Sequence, residues 1–229
     1  MKILFFKESH CSNRSKEMIR VLIADSYPIV RSGLKQVLNQ TNEIEVIGET
    51  ASYVETLRKA QTTNCQLLVL SADLLGNFLE FLIDIKRLCP DMRILLFSVY
   101  SNIELGVRGL KSGASGYINI QSTADELVRA VRWVADGRKY ICAEIAERLT
   151  SADDRQKKAP HRLLSDREFQ VMRLFGAGKT QTDAARILGL GKSTIATYRR
   201  RILEKLDLQS SAEIVRYAVE NKVVYGAYA

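Results

Sequence analysis

The stretch IRVLIADSYPIVRSGL, residues 19–34, combines the two periodicities that decide the fold. Its first six residues are mostly apolar and rich in β-branched side chains, which is typical of a strand buried on both faces. Pro28 then follows, and apolar residues recur three or four positions apart from Val30 to Leu38, which predicts an amphipathic helix. A buried strand followed at once by a helix is the repeating unit of an α/β fold.

The same alternation continues through the first two-thirds of the chain. We expect five strands, at residues 19–24, 44–49, 67–71, 93–98 and 116–120. Further helical stripes lie at residues 78–88 and 127–134. Strands that alternate with helices predict a doubly wound α/β domain, in which helices cover both faces of a five-stranded parallel sheet. Functional side chains of such folds gather at the carboxyl ends of the strands.

At those strand ends the sequence places Asp25, Ser26, Ser71, Ser98 and Ile120. The order and spacing of this set, with ADSYPIVRSGL at residues 24–34 and SGASGY at residues 112–117, resemble the receiver domain of NarL/FixJ-type response regulators. The resemblance covers residues 18–150 and leaves residues 1–17 as an N-terminal extension.

In a working receiver of that family, the third strand ends in the aspartate that accepts phosphate. Two acids after the first strand hold Mg²⁺, and a lysine after the fifth strand contacts the phosphoryl group. The resemblance assigns these positions to Ser71, to Asp25 with Ser26, and to Ile120. Only one residue of the charged set is therefore retained.

Ser98 and Tyr117 keep the family's small hydroxyl and its aromatic switch position, but Asp25 is the remaining acid. Mg²⁺ normally relies on carboxylates and phosphate in near-octahedral geometry, and a serine hydroxyl without a neighbouring base is a weak nucleophile. We therefore expect a degenerate pocket with no metal, cofactor or catalytic residue. Asp73, two residues after Ser71, is the alternative acceptor, although a solvated loop aspartate is the preferred interpretation.

The excess basic charge lies mainly in the last third of the chain. Residues 151–229 contain 15 Lys and Arg against 9 Asp and Glu, whereas residues 18–150 contain 15 of each kind. This asymmetry predicts a polyanionic partner, nucleic acid before an anionic membrane. No run of about 18 apolar residues is present to span a bilayer, so we expect a cytoplasmic protein. Residues 151–163 are polar and aperiodic, as in a linker.

Two helix starts follow this linker. Ser165 with Glu168, and Thr180 with Asp183, have the spacing of capping boxes. A glycine turn then separates the second helix from a third that begins near Lys192. The third helix has an apolar stripe on one side and basic and hydroxyl side chains on the other. Two short helices joined in this way predict a small all-α helix-turn-helix domain.

The segments LSDREFQVMRL, STIATYRRRILEKL and AEIVRYAV resemble the LuxR-type helix-turn-helix that follows NarL/FixJ-type receivers. We assign residues 164–229 to this domain. The resemblance implies that the helix at residues 192–206 enters the major groove of double-stranded DNA, with Thr197 and Arg200 at base edges.

The other candidate DNA contacts, mostly to phosphate, are Lys179, Thr180, Lys192, Ser193, Thr194, Tyr198, Arg201 and Lys205. Ala196 offers an apolar contact. For Tyr198, packing beneath the helix is an equally favoured interpretation, and Arg199 is interpreted as a solvated charge.

The sequence thus favours a DNA-binding transcription regulator, not an enzyme, whose degenerate receiver serves for dimerisation or for another input. We expect a homodimer, with the helix at residues 211–221 as one candidate interface through Ile214, Val215 and Ala218; an ordinary core position is equally favoured for these three. The alternatives are a conventional phosphorelay regulator that uses Asp73, and a protein that pairs with a complete response regulator in a heterodimer.

Overall fold

All five predicted strands form, in one parallel sheet. The computed structural model describes residues 18–72, 78–99, 103–142, 145–147, 159–221 and 223–224. The strands are β1 (Ile19–Ala24), β2 (Ile44–Thr50), β3 (Leu67–Ser71), β4 (Arg93–Ser98) and β5 (Gly116–Asn119). Their spatial order is β2-β1-β3-β4-β5, which confirms the doubly wound α/β prediction. The fifth strand ends one residue earlier than predicted, so Ile120 lies just beyond it.

Five helices cover this sheet. They are α1 (Pro28–Asn39), α2 (Tyr53–Thr62), α3 (Phe78–Leu88), α4 (Ile103–Lys111) and α5 (Ala124–Ala135). One buried cluster joins α1 and α5 to one face of the sheet, and a second joins α2, α3 and α4 to the other face. Strand β3 is buried at all five positions, as its apolar run requires.

Helices α2 and α4 were not predicted from the apolar periodicity. Helix α4 contains two glycines on its buried side, where a stripe would carry large apolar residues. A Cβ at Gly106 would lie 2.6 Å from Ile145 Cδ1 and 3.0 Å from the Tyr117 ring, and a Cβ at Gly109 would overlap Leu96. At these two positions the backbone of α4 therefore approaches the core closely, next to the buried side chains of Leu105 and Val107.

The C-terminal third forms four helices: α6 (Asp166–Gly176), α7 (Gln181–Leu188), α8 (Lys192–Leu206) and α9 (Ser211–Glu220). Both predicted capping boxes are present, at Ser165 and Thr180. Gly189 ends α7 with φ of 64°, a left-handed conformation that glycine adopts without strain. These elements confirm the predicted helix-turn-helix fold.

The segment interpreted as a linker is partly ordered against this domain. Pro160–Leu163 forms a turn of 3₁₀ helix, and the His161 side chain is buried. The Nδ1 atom of His161 lies 3.0 Å from the Tyr217 hydroxyl, which fixes the turn against α9. Residues 151–158 and 1–17 lie outside the described residues. Within the described ranges, no helix is long and apolar enough to cross a membrane.

Candidate functional sites

The structure places three of the predicted strand-end residues, Asp25, Ser71 and Ser98, in buried positions at one edge of the sheet, and we name this set the strand-end pocket. Asp25 and Ser98 are fully buried, and Ser71 is 1% exposed. Ala24 of β1 pairs with Leu70 of β3, so Asp25 and Ser71 follow side by side in the register. Adjacent strands lie about 4.8 Å apart, which brings these two backbone positions close together. Asp25 and Ser71 therefore lie at adjacent strand ends, as the parallel sheet requires.

Asp25 is the acid of this pocket, and its contacts are local. Its Oδ1 accepts a hydrogen bond of 2.6 Å from the Tyr27 backbone N–H, while its Oδ2 is buried with no hydrogen-bond partner among the described residues. Ser26, the second position of the acidic pair, is exposed. Within the described ranges, no group of three or more His, Cys, Asp or Glu side chains could hold a metal ion.

An aliphatic side chain occupies the position of the family's lysine. Ile120 is 51% exposed, and its backbone N–H donates to the Ser98 carbonyl oxygen over 3.0 Å. Ile120 also lines a cavity of about 320 Å³ between α1 and α5, together with Ile29 and Phe97. The position of the family's lysine therefore carries an apolar side chain that is partly exposed. The alternative acceptor, Asp73, lies outside the described residues.

Tyr117, at the aromatic switch position, is turned into the core. Its side chain is 3% exposed and packs against Gly106 of α4. The ring therefore lies beneath α4 and away from solvent.

Arg31 is a charged neighbour of the strand-end pocket that the sequence reasoning missed. Its Nη1 donates to the Asp25 backbone oxygen over 2.7 Å, and its Nε lies 3.6 Å from Glu49 Oε2. Because the guanidinium contacts the backbone of Asp25 and pairs with Glu49, it reinforces the end of β1. The signal was present in the quoted segment ADSYPIVRSGL, where Arg31 follows Pro28 on the first turn of α1.

The second candidate site is the solvent face of α8. The predicted DNA contacts on this exposed face are Lys192, Ser193, Ala196, Thr197, Arg200, Arg201 and Lys205, and Thr194 is half-buried. Lys179 and Thr180 are exposed just before α7. Ile195, Ile202 and Leu206, on the opposite side of α8, are buried. The DNA-reading face, as we name the exposed side of α8, is therefore open to solvent.

Three polar residues of this domain have internal partners. The Thr197 hydroxyl donates to the Ser193 carbonyl oxygen over 3.1 Å. Arg200 Nε lies 3.7 Å from Glu204 Oε1 in a pair that is largely exposed, and such pairs add little rigidity. The Thr180 hydroxyl donates to Asp183 Oδ2 over 2.6 Å, and this hydrogen bond holds the pKa of Asp183 below its usual value. Of these three side chains, Arg200 is held least firmly, because its ion pair is the longest contact and is exposed to solvent.

Lys205 and Tyr198 have contacts inside the domain. The Lys205 ammonium lies 2.7 Å from Oε2 of Glu168, a carboxylate buried at the start of α6. Burial raises the pKa of Glu168, but hydrogen bonds from Lys205 and Ser165 outweigh it and hold the pKa below its usual value. Tyr198 is half-buried and packs against the core. Both side chains thus contribute to the packing of the helix-turn-helix.

Two further side chains connect α8 and α9 to their surroundings. Arg199, interpreted above as a solvated charge, donates from Nε to the Ser211 hydroxyl over 2.5 Å and so links α8 to α9. Of the candidate interface residues on α9, Ile214 and Ala218 are fully buried in the core, and Val215 is half-buried. Ala218 lies against Gly176 of α6, which leaves no room for a larger residue there.

Comparison with protein families agrees with both regions. The family of response regulator receiver domains matches residues 21–132, and the family of bacterial regulatory proteins of the luxR type matches residues 162–218. The chain is 32% identical over 211 residues to the response regulator GacA of Pseudomonas viridiflava, covering 90% of this chain and 98% of GacA. It is 27% identical over 207 residues to the response regulator UvrY of Escherichia coli K12, covering 89% and 95%.

Solved structures of RcsB share this fold. The Salmonella typhimurium protein superposes with a TM-score of 0.73 at 21% identity, over 89% of this chain and 98% of RcsB. RcsB bound to the promoter rprA in the presence of phosphomimetic BeF₃⁻ gives a TM-score of 0.70 at 22% identity, over 87% and 98% of the two chains.

Proposed function

The chain belongs to the response regulators that join a receiver domain to a LuxR-type DNA-binding domain, and we propose that it regulates transcription without phosphorylation of its receiver. Members of this family bind DNA as transcriptional regulators and are not enzymes. The chain is accordingly a DNA-binding response regulator. What we add is that residues 18–150 act as a dimerisation platform or receive a signal other than phosphate.

The observation that carries this proposal is the composition of the strand-end pocket. Asp25 is the buried acid, Ser71 stands where the acceptor belongs, and Ile120 is aliphatic. A cation at that last position, about 4 Å from a phosphoryl group, would contribute up to ~4 kcal/mol near a protein surface. A single carboxylate is also a poor Mg²⁺ site, since this ion needs several oxygen ligands. Both favourable contributions to phosphoryl transfer are therefore reduced.

For the DNA-reading face we propose a division of work among its side chains. Thr197 and Arg200 contact base edges in the major groove and supply sequence choice. Arg201 and the residues before α7 contact phosphates and set the position of the domain on the duplex. Lys205 leaves Glu168 and pairs with a phosphate when DNA is bound. Because the Glu168 ion pair is lost, Lys205 contributes less to DNA affinity than an unpaired lysine would.

We further propose that the protein binds DNA as a homodimer. RcsB has been solved as dimers bound to DNA. One helix-turn-helix reads a half-site, and two-fold pairing extends the contact over a helical turn of DNA. Light scattering with and without promoter DNA tests this by measuring the molar mass of the protein. A dimer mass of the chain alone or on DNA supports the homodimer. A dimer that forms only after a complete response regulator is added would indicate the heterodimer instead.

Genome-wide mapping of bound DNA tests the proposed function. Ser71→Ala removes a hydroxyl at a fully packed position and leaves the DNA-reading face unchanged, so the variant should occupy the same sites as the wild type. Arg200→Ala, at matched protein level, is the control that should lose specific sites. Loss of sites by Ser71→Ala under inducing conditions would show that the acceptor position is still used.

A further inference from the structure

Helices α3 and α4 of the receiver contact the helix-turn-helix domain through a charged surface. The contacts on the other side come from the turn Pro160–Leu163 and from the first turn of α6. Arg108 of α4 lies at the centre of this surface and is 8% exposed. Arginine is rarely buried to this extent unless it is paired, so its partners define what the surface does.

The Arg108 guanidinium joins the two domains directly. Its Nη1 donates to Asp166 Oδ1 over 2.6 Å, and its Nη2 donates to the carbonyl oxygens of Leu164, over 2.9 Å, and His161, over 3.4 Å. Its carbon Cζ stands 4.3 Å from the centroid of the Phe169 ring, a cation–π distance. All these partners belong to the helix-turn-helix side.

Within the receiver, Glu104 orients this arginine. Glu104 Oε1 accepts from Arg108 Nε over 2.9 Å, and its other oxygen lies 3.9 Å from Arg162 Nε. A second ion pair, between Glu80 of α3 and Arg167 of α6, flanks the contact. Planar guanidinium groups that bind several acceptors at once fix orientation as well as distance. The contact therefore sets how the two domains are oriented.

This contact leaves the DNA-reading face uncovered. Thr197, Arg200 and Arg201 are exposed in the whole chain, with the receiver in place. In the described part of the chain, the side-chain hydrogen bonds and ion pairs of α8 run to residues of its own domain, such as Glu168 and Ser211, and to none of α1 to α5. Receiver contact and an open face thus occur together.

We propose that Arg108 clasps the DNA-binding domain onto α3 and α4, and that the clasped chain is the form that reads DNA. The clasp fixes the direction of α8 relative to the receiver, so a receiver dimer presents two recognition helices at a set spacing. Preorganisation of this kind strengthens binding to two half-sites while leaving a single half-site unaffected. The proposal rests on the proposed function for the identity of the DNA-reading face and for the receiver dimer.

Backbone ¹⁵N relaxation of the full chain measures the clasp. The wild type should show one rotational correlation time for both domains, whereas Arg108→Ala and Asp166→Asn should give the helix-turn-helix domain a shorter one. Asp166 is largely exposed, so its variant keeps the test valid if Arg108→Ala does not fold. Arg138→Ala is the matched control, because Arg138 also stacks on a ring, Trp133, and pairs with Asp136, but within the receiver. Unchanged correlation times in Asp166→Asn and Arg108→Ala would overturn the clasp.

DNA titration tests the second half of the proposal. Asp166→Asn should bind a single half-site within ~2-fold of the wild type, as for other surface substitutions, and should bind a duplex with two half-sites more weakly. A rise in half-site affinity would mean that the contact holds α8 away from DNA, and an unchanged affinity for two half-sites would mean that orientation is not set by the clasp. Failure of the proposed function gives a different result. Wild-type DNA affinity would then change on addition of beryllofluoride with Mg²⁺, while the relaxation measurements on Asp166→Asn would still report the contact between the domains.

Discussion

Restoring the acceptor acid at residue 71 should destabilise the receiver. Ser71→Asp places a carboxylate at a position that is 1% exposed, next in register to the fully buried Asp25. Oδ2 of Asp25 is buried with no hydrogen-bond partner among the described residues, so a second carboxylate would be added beside an acid that is itself poorly solvated. An uncompensated buried charge costs about 3 to 5 kcal/mol, and we expect a loss of about 3 kcal/mol in the free energy of unfolding at neutral pH.

The cause of that loss can be separated by a double-mutant cycle. Ile120→Lys restores the family's cation, and because Ile120 is half-exposed we expect it to recover only about 1 to 2 kcal/mol of the loss. Asp25→Asn in the Ser71→Asp background should recover a similar amount by removing the repulsion. Ser71→Ala is the control for the lost hydroxyl.

Urea unfolding, followed by circular dichroism, measures these differences. It is applied to Ser71→Asp and Ser71→Ala, to Ile120→Lys and Asp25→Asn alone, and to each of these last two combined with Ser71→Asp. A Ser71→Asp protein as stable as the wild type, with no coupling to Ile120→Lys or Asp25→Asn, would refute the argument that the strand-end pocket lacks the charges to hold a second acid. If Ile120→Lys and Asp25→Asn each reduce the destabilisation caused by Ser71→Asp, the charges around residue 71 decide whether an aspartate is tolerated there.

Three further results are expected. Arg200→Ala should reduce the free energy of binding to the preferred site by about 1 to 3 kcal/mol and relax base choice there. Arg201→Ala should weaken binding to all DNA sequences and lower the slope of log affinity against log salt concentration by about one unit per half-site. Titration of matched and scrambled duplexes at several salt concentrations measures both effects. Lys205→Met should lower the free energy of unfolding by about 1 to 2 kcal/mol, because it removes the partner of buried Glu168. The pKa of Glu168 is lowered in the folded chain, so the stability it supplies is present above its usual value of about 4.5 and is lost as the pH falls below it; urea unfolding should show this decline flattened in Lys205→Met. Deletion of residues 1–17 should leave folding and DNA binding unchanged, and a loss of either would show that the extension is part of the domain.

Local signals in the sequence were enough for the elements that carry the candidate sites. The capping boxes at Ser165 and Thr180 depend on residues three positions apart, and both form as predicted. The strand-end set of Asp25, Ser71 and Ser98 followed from the alternation of strands and helices, because parallel strands bring their carboxyl ends to one edge.

Long-range contacts were beyond that reasoning. Arg108 meets Asp166 across 58 residues of sequence, and Lys205 meets Glu168 across 37, so no periodicity links them. Helix α4 places Gly106 and Gly109 where it packs closest to the core, so its apolar stripe is short and interrupted. For both ion pairs, tertiary packing decides which charged side chain gains a partner, and for α4 it decides where glycine is needed.

We propose that this receiver regulates DNA binding without phosphate, and the affinity of the chain for a mapped target duplex is the measurement that can refute this proposal. The dissociation constant of the wild type should be the same with and without acetyl phosphate, or beryllofluoride, in the presence of Mg²⁺, and the intact mass should not change. A receiver that carries the family's acceptor aspartate, assayed in parallel, would serve as the positive control for the reagents. Tighter DNA binding together with a phosphoryl mass shift, both abolished by Asp73→Asn or Ser71→Ala, would show that phosphate controls this receiver.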